Sequence, residues 1–174
     1  MTALVSTRFG NPKDVELIVD LIKEVAIYEK LGDFCVTTPQ SIKEAFFSTR
    51  PVAEVLIGEL NGNAAGLAIF FNNYSTFLGK NGLHLEDLFV RPYARGSGVG
   101  TALVKAVAKI AAERDCARIE WFVLDWNAPA IGFFRSLGAT AMDEFRVFRM
   151  NQDAIAALAH APFHPSAQLT TSRQ

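Results

Sequence analysis

The 174-residue sequence holds only two cysteines, Cys35 and Cys116, and three histidines. The cysteines form no CxxC pair, and no histidine stands near them at zinc-ligand spacing. Neither a disulfide framework nor a metal site is expected, and a reducing compartment, the cytoplasm, is the simpler setting. Long apolar runs are also missing. The longest, around Ala64 to Phe71, falls far short of the ~20 residues that a membrane-spanning helix needs. The first residues, Met1 to Arg8, carry no extended apolar stretch, so no secretory signal is expected. An excess of one charge is lacking too. Seventeen Lys+Arg against eighteen Asp+Glu leave a formal charge of -1. That near-balance argues against a sequence-independent nucleic-acid binder, which needs a basic face. It leaves a local anion site open.

What is present is material for a core. Half of the residues are hydrophobic and 20% are charged, the balance of a folded domain rather than a disordered chain. The length suits one domain, placed over residues 1–160. Residues 161–174 are polar and carry two prolines, as a flexible C-terminal tail does.

The patterning predicts a strand over residues 3–9. Asn11-Pro12 then opens a helix to about Tyr28, with Val15, Ile18, Val19, Ile22 and Val25 at helical spacing. Thr38-Pro39 repeats that opening for a second helix. Strands are expected over 53–60 and 64–72, joined by the Asn61-Gly62 turn. A polar loop over 73–83 and a strand over 84–90 follow. Val99, Leu103, Ala106 and Ile110 mark one face of a helix over 98–114. A strand over 118–124, a helix from Asn127 to about Leu137, a long strand over 140–150 and one short helix complete the chain. The order β-α-α-β-β-β-α-β-α-β implies an α/β fold with a mixed sheet and helices packed on it.

The segment richest in chemistry is Arg95-Gly96-Ser97-Gly98-Val99-Gly100-Thr101, between a strand and a helix. Glycines let the backbone approach a ligand, and the first N–H groups of a helix have no internal acceptor. Those donors and the helix dipole favour a phosphate or diphosphate. Arg95 adds charge and Thr101 a hydroxyl. A tight turn into a packed helix explains the glycines as well. The nucleoside-triphosphate loop is excluded, because Val99-Gly100-Thr101 lacks its lysine. The dinucleotide fingerprint is excluded by glycine spacing and by the upstream hairpin.

Arg-x-x-Gly-x-Gly after a strand ending Glu86-Asp87-Leu88-Phe89-Val90 resembles the acetyl-CoA loop of the GNAT acetyltransferase superfamily. Val123-Leu124-Asp125-Trp126-Asn127 and Phe133-Phe134-Arg135-Ser136-Leu137-Gly138-Ala139 match its second block. The Glu86-Asp87 pair, the Trp126-Asn127 pair, and Leu21 to Glu24 with Tyr28-Glu29 resemble the diamine (spermidine/spermine) acetyltransferase branch. The likeness spans roughly residues 4–158. It implies a GNAT-like single domain, with helices on both faces of a mostly antiparallel, splayed sheet. It also implies an N-acetyltransferase that moves an acetyl group from acetyl-CoA to a primary amine of a small diamine, polyamine or lysine-like amino acid by direct attack. A homodimer is typical of the branch. Other acceptors stay open: a protein N-terminus or lysine, or a CoA-binding module with little activity.

The same likeness implies the site residues. The backbone of Leu88, Phe89 and Val90 holds the pantetheine arm, and Arg95 to Thr101 (Arg95, Gly96, Ser97, Gly98, Val99, Gly100, Thr101) cradle the diphosphate. Asn127 contacts acetyl-CoA, and Ala128, Pro129, Ala130 and Phe134 line it. Glu86 takes a proton from the substrate ammonium. An alkyl amine with a pKa of about 10 arrives protonated and cannot attack a thioester, so some such group is needed. Tyr28, Glu29, Glu86 and Asp87 face the amine, and Glu120, Trp121, Phe122 and Asp143 line it further. In a regular strand Asp87 points away from Glu86 and reaches the substrate only if the strand is bulged. His84, two residues before Glu86, shares its face, as a proton relay or as a packed histidine. Phe134 stands where the family carries a tyrosine that protonates the leaving thiolate, and it has no proton to give. Tyr93 is a substitute donor. Phe145 replaces a family tryptophan, and an acid of the polyamine-selective members is missing near Tyr74-Ser75-Thr76. Fewer carboxylates favour a shorter amine. Neither cysteine has a base beside it in sequence, so a covalent route is disfavoured.

Overall fold

The computed structural model describes residues 3–162. The expected tail therefore lies, from residue 163 on, outside the described residues. The chain divides into two compact units at Leu124/Asp125.

In the first unit, β1 (Val5–Phe9) leads into a turn opened by Asn11, whose side chain accepts from Lys13 N while Asp14 reaches back to the Asn11 amide. That capping box, with Pro12 in the first turn, starts α1 (Val15–Tyr28). Thr38 and Ser41 form the same reciprocal pair ahead of α2 (Pro39–Phe47). Strands β2 (Glu54–Leu60), β3 (Asn63–Ser75) and β4 (Lys80–Val90) follow, then α3 (Val99–Glu113) and the two-residue β5 (Ile119–Glu120). The sheet runs in the order β1-β2-β3-β4-β5. All pairs are antiparallel except β4–β5, which is parallel.

Successive residues of β2 face opposite layers. Val55 and Ile57 pack with Ile18, Val19, Leu21 and Val25 of α1 and with Leu67, Ile69 and Phe89. Gly58 faces α3, where an added Cβ would lie 2.7 Å from Val99 Cγ1. The missing side chain lets α3 lie close against the sheet. Helices thus cover both faces, as expected.

Two expectations about strands of the first unit are corrected, and a third in the second unit follows below. The loop placed at 73–83 is mostly strand, because Asn73, Tyr74 and Ser75 pair with Gly82, Asn81 and Lys80. Their polarity reflects a strand with an exposed edge face, and only residues 76–79 turn. The strand expected over 118–124 pairs only at Ile119 and Glu120. Beyond His84, one edge of β4 has no strand partner among the described residues, so the sheet opens there.

The second unit holds α4 (Ala128–Ser136) and α5 (Gln152–His160), capped by Asn127 and Asn151. The strand expected over 140–150 does not form: the segment contains one turn, with Phe145 N bonded to Met142 O, and no ladder. Its alternating apolar residues specify faces, but a strand also needs a neighbour for its N–H and C=O groups. Within the second unit, among the described residues, none pairs with it. Phe145, Val147, Phe148 and Met150 are all exposed.

Candidate active site

The site begins with an irregularity in β4. Ile69 lies opposite Asp87, and the next residue, Phe70, lies opposite Leu85. Glu86 is therefore an extra residue on β4, a bulge that breaks the alternation and re-aims neighbouring side chains. The condition under which Asp87 and Glu86 act on one side is met. Three carboxylates sense one another here. Burial, then the charges of Glu86 and Glu29, push the Asp87 carboxyl up to about 6. Glu29, just past the end of α1, is also raised, first by burial and then by the charge of Glu86. The sequence contains the acids, but not the register shift that gathers them.

His84 is buried one step along the same strand. Its Nε2 lies 3.5 Å from Glu86 Oε2. Its ring stacks on Phe71 and is flanked by Phe122, with both centroids at 5.0 Å. Phe71 was missed by sequence reasoning. It is the ladder partner of His84 on β3, and no local pattern reveals that register.

The glycine-rich turn lies between β4 and α3. Gly96 and Gly98 take positive φ of 77° and 97°, a region in which a side chain is strained. Gly98 is the N-cap of α3 and offers no side-chain acceptor to its first amides. An added Cβ at either glycine would meet open space. The first amides of α3 thus lack a side-chain cap beside two open glycine positions, which fits a bound diphosphate. Ser97 Oγ donates to Ala94 O at 2.6 Å and braces the turn.

Arg95 does not extend over this turn. Its Nε donates to Val90 O, and its guanidinium sits 4.7 Å from the Tyr28 ring centroid and 6.0 Å from that of Phe89. Arg91 pairs with Glu24 at 2.7 Å and fastens α1 to the end of β4. Tyr93 donates to Ala64 O and is thereby held at the start of β3. A surface hollow of about 610 Å³ near this tyrosine is lined by Leu60, Asn61, Asn63, Ala64, Arg91 and Tyr93. It contains none of the three acids.

Glu120 pairs with His84 in the β4–β5 ladder, but its carboxylate accepts from Asn73 and Arg118. Trp121 and Phe122 follow it, and Phe122 is the residue that reaches His84. In the second unit, Asn127 Oδ1 accepts from Ala130 N and starts α4, with Pro129 in the first turn. Phe134 contacts the Phe133 ring, centroids 5.3 Å apart. Asp143 lies exposed in the turn of the 140–150 segment. Both cysteines are free thiols. Among the described residues there is no cluster able to hold a metal, and no helix is long and apolar enough to cross a membrane.

These features can be set beside known proteins. The chain is 34% identical to the thialysine N-epsilon-acetyltransferase of Bos taurus, over 90% of this chain and 98% of that one. It is 30% identical to the L-ornithine N5-acetyltransferase NATA1 of Arabidopsis thaliana, over 87% and 86%. The integron cassette protein VCH_CASS6 from the mobile metagenome of V.cholerae shares the fold at a TM-score of 0.75, with 24% identity over 92% of this chain and 99% of that one. Residues 23–139 match the model of the acetyltransferase (GNAT) family. With the splayed mixed sheet and the glycine turn opening α3, that match makes the chain a GNAT acetyltransferase whose likeness is to the diamine-acetylating branch.

Proposed function

We propose that the protein transfers an acetyl group from acetyl-CoA to a primary amine of a small diamine or lysine-like amino acid by direct attack. The observation that carries this reading is the gathering of Glu29, Glu86 and Asp87 at the β4 bulge, where their charges oppose one another. A bound cation relieves that repulsion, and a diamine supplies two. The named substrates of the two curated relatives, thialysine and ornithine, are small amines of this kind.

Acetyl-CoA supplies the activated thioester, as it does throughout the family. The chain's residues supply the rest. The amides after Gly98 bind the diphosphate, and the unpaired edge of β4 from Leu88 to Val90 receives the extended pantetheine arm as an added strand. Glu86 binds the ammonium and takes its proton, which frees the nitrogen lone pair. Tyr28, Glu29 and Asp87 hold the second polar end of the substrate. No thiol is needed, in keeping with cysteines that lie outside this cluster.

A homodimer in the cytoplasm belongs to the same reading. The exposed Phe145, Val147, Phe148 and Met150 offer apolar surface that a second copy would cover. Phe134 favours one second reading, a CoA-binding module of low turnover. A thiol-release assay across ornithine, lysine, thialysine, diamines, polyamines and peptides separates these readings. Turnover with small diamines supports the first. Turnover with peptides alone, or CoA binding without turnover, refutes it.

A further inference from the structure

We infer that His84 is a positioning residue for Glu86 that also shares the substrate's proton with it. This rests on the reading of Glu86 as the proton acceptor, and extends it to a residue outside the substrate contacts. The geometry has three parts. Nε2 of His84 lies 3.5 Å from Oε2 of Glu86, a small side-chain adjustment from a hydrogen bond. The imidazole is 10% exposed whereas the Glu86 side chain is 57% exposed, so the histidine is the fixed member and the glutamate the adjustable one. Phe71 and Phe122 hold the imidazole from different elements, one by stacking and one at a tilt.

The surrounding charges single out Glu86 as the partner. Glu120 stands opposite His84 in the ladder but is engaged by Asn73 and Arg118. Glu29 and Asp87 act on Glu86 and on each other. A histidine held only for packing does not require an exposed carboxylate beside its ring nitrogen. A neutral imidazole nitrogen has a lone pair that accepts a proton, and an imidazolium has an N–H that gives one up.

The steps balance. An N–H bond of the ammonium breaks and an O–H bond forms on Glu86, leaving the electron pair on the amine nitrogen. That O–H bond breaks as an N–H bond forms on Nε2, restoring the carboxylate beside an imidazolium. The imidazolium returns the proton to Glu86, whose exposed carboxyl gives it to water, and the pair is reset.

The test uses the full chain. His84→Phe keeps a ring between Phe71 and Phe122 but removes both nitrogens. We expect kcat with the best amine to fall ~10-fold or more, less than the ~10²–10⁴ of a group that itself meets the reacting proton, with acetyl-CoA affinity unchanged. Added to Glu86→Gln, the same change should lower kcat by less than about 2-fold, because the two act as one unit. His84→Ala should regain activity with added imidazole and not with toluene, which fills the slot without a nitrogen. Wild-type kcat in His84→Phe, an undiminished loss in the Glu86→Gln background, or equal rescue by toluene overturns the inference. Should the His84 variants misfold, the Nε2 resonance of His84 in folded Glu86→Gln decides: a displaced signal supports the pairing, and an unmoved one overturns it. A wild-type protein that acetylates no amine instead refutes the reading on which this rests.

Discussion

The guanidinium of Arg95 lies over the Tyr28 ring, 4.7 Å from its centroid. The first residue of the glycine turn is thereby joined to the end of α1, where Glu29 follows. Removing that cover loosens the Tyr28 ring. Such a contact is worth about 0.5–1 kcal/mol at an exposed position, so Arg95→Leu should raise the amine KM roughly 2- to 5-fold. Arg95→Lys should not restore it, because an ammonium lacks the planar face that stacks. Steady-state kinetics at saturating acetyl-CoA measures both, and full restoration by lysine would contradict the stacking role.

Asp87 stores a conflict. Burial and two neighbouring carboxylates raise it to about 6 from 3.8. An acid raised on folding holds more protons in the folded state between those two values, so stability falls as pH rises from about 4 to about 6 and stays low above. Roughly two units correspond to about 3 kcal/mol at most. Asp87→Asn should therefore stabilise the ligand-free protein at pH 7.5 by up to about 3 kcal/mol and have little effect near pH 4. It should also weaken amine binding. Urea denaturation at the two pH values checks the sign, and a less stable Asp87→Asn at pH 7.5 would contradict it.

Phe134 gives the second unit a testable deficiency. It stands in α4 at the position where the family resemblance implies a tyrosine, and the ring has no proton for a departing thiolate. Phe134→Tyr should raise kcat at neutral pH. General acids contribute ~10²–10⁴ in rate, but a thiolate leaves tolerably well unaided, so a several-fold gain is expected. An unchanged or lower kcat means that the hydroxyl is not what limits turnover.

The parts of this molecule that depend on local sequence were legible in it. Asn11-Pro12, Thr38-Pro39, Asn61-Gly62 and Asn127 fix caps and a turn through bonds spanning a few residues, and each lies where it was expected. The glycine turn lies between a strand and a helix, where the sequence placed it, and glycine takes the positive φ found at Gly96 and Gly98 without strain. What depends on pairing was not legible. The bulge at Glu86 arises from the register between Ile69 and Asp87, and nothing in Leu85-Glu86-Asp87 signals a skipped partner. The 140–150 segment has a strand's alternation but no ladder. The contact of Arg95 with an aromatic ring from α1 likewise depends on packing that its sequence neighbours do not reveal.

Glu86→Gln tests the central claim most directly. The amide keeps the side chain's size but cannot take up a proton as the carboxylate does. Single-turnover acetylation of the best diamine and calorimetric titration of acetyl-CoA should be measured on the same preparation. The acetylation rate should fall ~10²-fold or more, with acetyl-CoA affinity within about 3-fold of wild type. An acetylation rate close to wild type, or a rate loss matched by an equal loss of acetyl-CoA affinity, would contradict it.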